Sequence, residues 1–192
     1  MSDTVNQQGT PSEAEVAWLG GIIEGEGTLS LSVYSRNEDP RKSRDFKITA
    51  NVILFNTDAG IIVKACEILD RMNISYYIVE KEQKPMLKPG GDGFYTSKMP
   101  MLRILVKGMD STLRLTGFLY PWLFGEKKHR CALIIKFLIG RLSKIEARNG
   151  YKRIPYEVDD LRIAADFYKV CPRAKMNPKL EGLLNELEQN AA

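Results

Sequence analysis

The sequence of 192 residues is poor in the side chains that soft metals and acid–base enzymes use most. It has one histidine, His129, and three cysteines, Cys66, Cys131 and Cys171, far apart and without a CxxC pair. That pattern argues against a disulfide framework and against a Cys/His zinc cluster. No apolar run approaches the roughly 18 residues that a membrane span needs. The first dozen residues are polar and lack the basic-then-apolar order of a secretory signal, so the expected location is intracellular, with no membrane partner. The first 35 residues also lack any Lys or Arg.

That last absence divides the chain by charge. Residues 1–35 carry five acids (Asp3, Glu13, Glu15, Glu24, Glu26) and a charge of −5. Residues 36–150 carry 21 Lys and Arg against 12 acids, and residues 151–192 carry seven of each. A modest net charge of +4 therefore conceals a basic middle behind an acidic start. The imbalance suggests a polyanionic partner and a special task for the early acids. With 44% hydrophobic residues the chain can bury a sizeable core, and its length suits one compact domain.

The order of elements is readable. Residues 1–11 form a polar N-terminus, and Ser12 with Glu15 makes a capping box. The segment SEAEVAWLGGIIEGEG then has helical spacing, and Gly25 and Gly27 are stop signals. TLSLSVYS (28–35) alternates strictly, as does FKITANVILF (46–55), and the polar turn between them makes a hairpin. A helix from Asp58 follows, with a third strand in NISYYIVEKEQ and a fourth in SKMPMLRILVKG across a Pro- and Gly-rich tip. Alternation leaves open which side of the third strand faces out. Beyond it come a short helix over 109–119, a long one from about Glu126, and two more near 157–169 and 178–189. The expected fold is α+β, with helices on one face of an antiparallel four-stranded sheet. One domain is expected over 12–150, and 151–192 form a C-terminal helical extension of it.

WLGGIIEGEG (18–27) is unusual for a structural helix. Glu24 and Glu26 sit at the carboxyl end, where the helix dipole disfavours acids unless a cation arrives. A divalent metal with a taste for oxygen ligands would suit. Glycines cost a helix about 1 kcal/mol each relative to alanine, so Gly20, Gly21 and Gly25 need a reason. Gly21 and Gly25, four apart on one face, would let another helix approach closely.

LGGIIEGEG resembles the motif of the LAGLIDADG homing endonucleases, with Glu24 and Glu26 in the two acidic places. Helix, hairpin, helix, hairpin and helix are also similar in order to that family's αββαββα core. The resemblance covers roughly residues 12–148. It implies a sheet that forms a DNA-binding saddle, and motif helices that pair through Gly21 and Gly25 at the centre of a dimer. The catalytic metal ligand would be Glu26, holding Mg2+, with Ca2+ or Mn2+ as possible substitutes. Glu24 would pack or cap. Asn56 would help position water, and Lys127, with Lys128 as the neighbouring alternative, would stabilise charge at the scissile phosphate. Metal-assisted phosphodiester hydrolysis requires no histidine base, which agrees with the single His129.

The resemblance also implies an outward sheet face in the major groove, where a two-stranded ribbon can reach base edges. On that face lie Ser30, Ser32, Tyr34, Lys47, Thr49 and Asn51, with Arg103 from the fourth strand and Arg36, Arg41, Lys42 and Arg44 at the hairpin end. There is no second motif in GFLYPWLFGEKK or FLIGRLSKIEA. One motif per chain implies a homodimer and a long, near-palindromic double-stranded DNA target. The expected activity is site-specific, Mg-dependent DNA cleavage by an intron-encoded enzyme. The alternative on the same scaffold is a non-cleaving RNA-splicing maturase, with intron RNA as partner, or a DNA-binding regulator.

Overall fold

The computed structural model describes residues 9–35, 46–81, 86–87, 93–95, 100–147, 154–170, 176 and 178–190. Helix α1 (Glu13–Glu26) runs directly into strand β1 (Gly27–Ser35), which pairs with β2 (Phe46–Asn56). Helix α2 (Ala59–Arg71) leads to β3 (Tyr76–Lys81), and two short strands, β4 (Met86–Leu87) and β5 (Phe94–Tyr95), pair with each other. Then follow β6 (Met101–Lys107), α3 (Met109–Leu119), a 3-10 turn (Tyr120–Trp122), α4 (Gly125–Ala147), α5 (Val158–Val170) and α6 (Pro178–Asn190). The four long strands form one antiparallel sheet in the order β1-β2-β6-β3. The expected α+β architecture is thus the observed one, with β4 and β5 an addition in the Pro- and Gly-rich tip.

Local chemistry explains the entry to α1. Ser12 Oγ accepts the Glu15 N–H while Glu15 Oε2 accepts the Ser12 N–H at 2.9 Å, so two orphan donors are satisfied reciprocally. The same Glu15 carboxylate meets the Arg71 guanidinium at the end of α2, and that partner holds its pKa down to about 2. At α2, Asp58, where the sequence was read as starting the helix, is its cap, its side chain accepting the Gly60 N–H at 2.7 Å. Alternation then builds the core. Leu29, Leu31 and Val33 of β1, Ile48, Ala50, Val52 and Leu54 of β2, and Ile104 and Val106 of β6 are all buried. They meet Val16, Leu19 and Ile23 of α1 and the inner faces of α2, α3 and α4. Among the described residues no helix is long and apolar enough to cross a membrane. Cys66 and Cys131 are both free and buried.

The C-terminal segment is tied into this core. Arg141 of α4 and Asp160 of α5, 5% and 2% exposed, face each other at 3.2 Å. Tyr156, just ahead of α5, accepts the Ile48 N–H on its hydroxyl at 2.8 Å. β6 pairs with β2 only from Asn51 to Asn56, so Tyr156 supplies the partner that β6 no longer provides at Ile48.

The helical glycines are not equivalent. A Cβ on Gly20 would stand 2.5 Å from Cβ of Trp122, so the backbone of α1 and the 3-10 turn meet there because no side chain intervenes. Gly20→Ala is therefore expected to destabilise the protein by about 1–3 kcal/mol through overpacking, despite alanine's better helix propensity. Gly117 of α3 has open space where its Cβ would be, so Gly117→Ala should stabilise by up to about 1 kcal/mol. Urea midpoints of the two variants should move in opposite directions.

Candidate functional site

The site begins where α1 ends. Glu26, the last residue of α1, is exposed, and its Oε2 accepts a hydrogen bond from Asn56 Nδ2 at 2.5 Å. Asn56 is itself 9% exposed, and its Oδ1 accepts the Asp58 N–H at 2.8 Å. The amide is thereby fixed in one orientation, donating to the carboxylate and accepting from the start of α2. The second oxygen of Glu26 has no hydrogen-bond partner among the described residues.

Glu24 turns to the other side of the helix. Its Oε2 accepts the Phe124 N–H at 3.3 Å, just before α4. Lys127, in the first turn of α4, donates to the carbonyl of Ile23 at 2.8 Å and also to that of Glu24. A lysine of this chain thus brings a cation to the negative end of α1. Burial lowers the pKa of the Lys127 ammonium, as does Arg130; Glu24 and Glu126 oppose that shift. Lys128 lies elsewhere, its Nζ 5.1 Å from the ring of Tyr120. Glu24, Phe124, Gly125, Glu126, Lys127 and Arg130 together line an open pocket beside the end of α1. No group of three or more His, Cys, Asp or Glu side chains suited to a metal ion occurs among the described residues.

The register places the remaining expected residues on one side of the sheet. Tyr34 lies opposite Lys47, Ser32 opposite Thr49, and Ser30 opposite Asn51. Asn51 in turn lies opposite Lys107, and Phe55 opposite Arg103. All alternate with the buried set, so they share the face away from the helices. Two atoms on this face, Ser30 Oγ and Arg103 Nε, are shielded from solvent yet have no hydrogen-bond partner among the described residues. Arg36, Arg41, Lys42 and Arg44 lie outside the described residues. The side of β3 left open by its sequence is decided by pairing: Tyr76 opposes buried Val106, so Tyr77 and Val79 stand on the outer face.

Sequence reasoning missed part of this face. Ile53 of β2 opposes Leu105 of β6, which opposes Tyr77 of β3, a largely apolar row next to the polar row of Ser30, Asn51 and Lys107. Alternation put Leu105 on the side of Arg103 and Lys107 but left the side of Tyr77 open, and only the strand order brings these positions together. On α1, Gly21 and Gly25 are exposed, with none of the described residues within 4 Å of where a Cβ would stand. They continue a stripe through Ala14 and Ala17 on the side of the helix away from the core. Trp18 adjoins it, with Lys64 Nζ 4.4 Å from its ring.

No protein-family model matches the sequence. No curated protein matches it either. Solved structures do. The homing endonuclease I-CvuI, in complex with its target and 2 mM Ca, aligns over 92% of this chain and 96% of its own with a TM-score of 0.60 and 15% identity. The archaeal intron-encoded homing endonuclease I-Vdi141I, complexed with DNA, covers the same shares with a TM-score of 0.58 and 14% identity. The LAGLIDADG meganuclease I-CpaMI, bound to uncleaved DNA, aligns over 91% of this chain but 49% of its own, with a TM-score of 0.52 and 13% identity. The fold is that of the homing endonucleases. Within that class it is the LAGLIDADG fold, as the motif over residues 19–27 led us to expect.

Proposed function

We propose that the protein is a divalent-metal-dependent endonuclease that cuts double-stranded DNA at a specific site as a homodimer. The observation that carries this reading is the Glu26 carboxylate, exposed at the end of the motif helix, anchored on one oxygen by Asn56 and, among the described residues, without a partner on the other. A pure binder has no use for an unpaired carboxylate facing phosphates. The fold it occupies is one in which I-CvuI and I-Vdi141I are known as complexes with DNA.

One carboxylate per chain fits magnesium only if other oxygens join it. Magnesium is commonly held by one or two carboxylates plus substrate phosphates. Two copies of Glu26 and the phosphate oxygens of a bound duplex would complete such a set. Bound there, the ion supplies an activated water and neutralises charge at phosphorus. Asn56 holds the carboxylate in place and keeps its second amide hydrogen for a water. Lys127 has three ammonium hydrogens and spends two on the end of α1, which leaves one for a phosphate oxygen. The outer sheet face, with Ser30, Ser32, Tyr34, Lys47, Thr49, Asn51 and Arg103, lies in the major groove. Binding through Lys and Arg makes affinity fall steeply with salt.

The test is exposure of a randomised duplex library to the protein with and without magnesium. Cuts at one sequence, present only with the metal, support the reading. Binding without cuts turns it towards a non-cleaving regulator, and binding of RNA alone towards a splicing factor. The dimer has its own test. Among the described residues nothing lies within 4 Å of where a Cβ on Gly25 would stand, so Gly25→Trp should leave the subunit folded while blocking helix pairing. Light scattering is expected to give a dimer for the wild type and a monomer for the variant. A dimeric variant would remove the α1 stripe from the interface.

A further inference from the structure

The outer face of the sheet is organised in rows across the strands. Nearest Glu26 is the row Phe55–Arg103–Val79, because the next residue of β2 is Asn56, which bonds Glu26. The next row out is Thr28–Ile53–Leu105–Tyr77. Then come Ser30–Asn51–Lys107, Ser32–Thr49 and Tyr34–Lys47. Alternate residues of a strand are about 6.6–6.8 Å apart, so successive rows are spaced by about two base-pair steps of 3.4 Å.

The second row differs from the rows farther out in having two aliphatic side chains adjacent at its centre. Ile53 and Leu105 at its centre are half-buried and have no polar side-chain atom, and Tyr77 beside them is 52% exposed, with Lys107 Nζ 4.0 Å from its ring. Outward stand Asn51 and Lys107, suited to polar base edges or phosphates, and inward stands Arg103, flanked in its own row by the apolar Phe55 and Val79. Aliphatic side chains at the centre of a row, with one cation in the row on each side (Arg103 and Lys107), suit a major groove that offers one apolar feature among its donors and acceptors. That feature is the pyrimidine C5-methyl group.

We propose that the row Thr28–Ile53–Leu105–Tyr77 is a methyl-reading row, so that each half of the DNA target carries a 5-methylpyrimidine, thymine in ordinary DNA, at one fixed step. The proposal rests on the DNA-binding function above and specifies its target. Selection acts in both directions. A methyl group placed on Ile53 and Leu105 leaves water, worth about fourfold in affinity for one buried methyl-sized group. A cytosine amino group or guanine oxygen placed there surrenders its hydrogen bonds to water and receives none in return.

The experiment uses the full chain. A site is first selected from a randomised duplex library with Ca2+ in place of Mg2+. Each thymine of the selected site is then replaced singly by deoxyuracil, which removes only the methyl group, and binding is measured at fixed salt. The expected result is a loss of about fourfold at one step in each half-site and little elsewhere. At that same step 5-methylcytosine should bind more tightly than cytosine. Leu105→Gln should abolish the methyl preference there while discrimination at other steps remains. Ile53→Thr, which keeps a β-branched residue in the strand, should weaken the preference even if Leu105→Gln fails to fold. Indifference to the methyl group at every step would overturn the proposal. So would a preference unchanged in a folded variant, or variants that alter the oligomeric state and leave base preference intact. If the wild-type chain selects no duplex at all, the proposed function itself falls, which is a different and recognisable outcome.

Discussion

Glu26→Gln is expected to lower DNA cleavage by on the order of a thousandfold or more while specific binding survives. Glutamine has the shape of glutamate, and its amide oxygen can still accept the hydrogen bond that Asn56 Nδ2 now gives to Oε2 at 2.5 Å. The end of α1 should therefore stay in place. What disappears is the negative charge and with it the ability to hold a divalent cation against the phosphates. Removing a charge that faces phosphates should, if anything, strengthen binding at low salt. The measurement is a pair of assays on the selected duplex, cleavage with Mg2+ and binding with Ca2+. Cleavage by the variant within tenfold of the wild type would take Glu26 out of the metal site. Glu24→Gln separates the two acids, because the Glu24 carboxylate bonds the Phe124 N–H, a contact that a glutamine oxygen also accepts. A far smaller loss is expected there.

The contrast between these two acids marks how far local pattern reaches. Ser12 with Glu15, the alternation of Leu29, Leu31 and Val33, and the helix after Asp58 are all written in neighbours within four residues, and each has its structural counterpart. The motif itself was legible because its glycines and acids violate helix preferences together. Contacts across the fold were not. Lys127 lies 103 residues from Glu24 in sequence, and no local rule says that its ammonium will reach the carbonyl end of α1. The same holds for Gly20, which looks like Gly21 until Trp122 is placed against it. The outward side of β3 needed its register with β6, and the apolar row needed the order β1-β2-β6-β3, which no single strand encodes. Lys127 also changes the account of the acidic helix end. A lysine stabilises it within the chain, so the carboxylate of Glu26 is left over for something outside it.

The largest stability effect belongs to a group far from Glu26. Asp160→Ala should destabilise the protein by about 3–5 kcal/mol, a large part of the roughly 5–15 kcal/mol that holds a typical domain folded. Asp160 Oδ2 accepts from Arg141 Nη1 at 3.2 Å, from Lys144 Nζ at 3.0 Å and from the Glu157 N–H at 3.0 Å. Without it, a guanidinium on a residue 5% exposed loses its counter-charge, and the first turn of α5 loses a capping acceptor. Arg141 keeps its bonds to the carbonyls of Ile154 at 2.7 Å and Pro155 at 2.9 Å, which hold the charge in place where solvent does not reach it. Arg141→Met is expected to cost less. Asp160 would still have Lys144 and the Glu157 N–H, although two carbonyls would lose their donor. Equilibrium urea unfolding of both variants, with the order of the losses as the critical result, tests the assignment. An Asp160→Ala loss below 1 kcal/mol would mean that the pair is not energetically buried. The damage should also travel. Arg141 lies 4.5 Å from the ring of Tyr156, whose hydroxyl holds the Ile48 N–H of β2. Loosening α5 therefore frees the far end of β2, where Lys47 and Thr49 stand on the outer face. Affinity for the selected duplex should fall more in Asp160→Ala than the folded fraction alone accounts for.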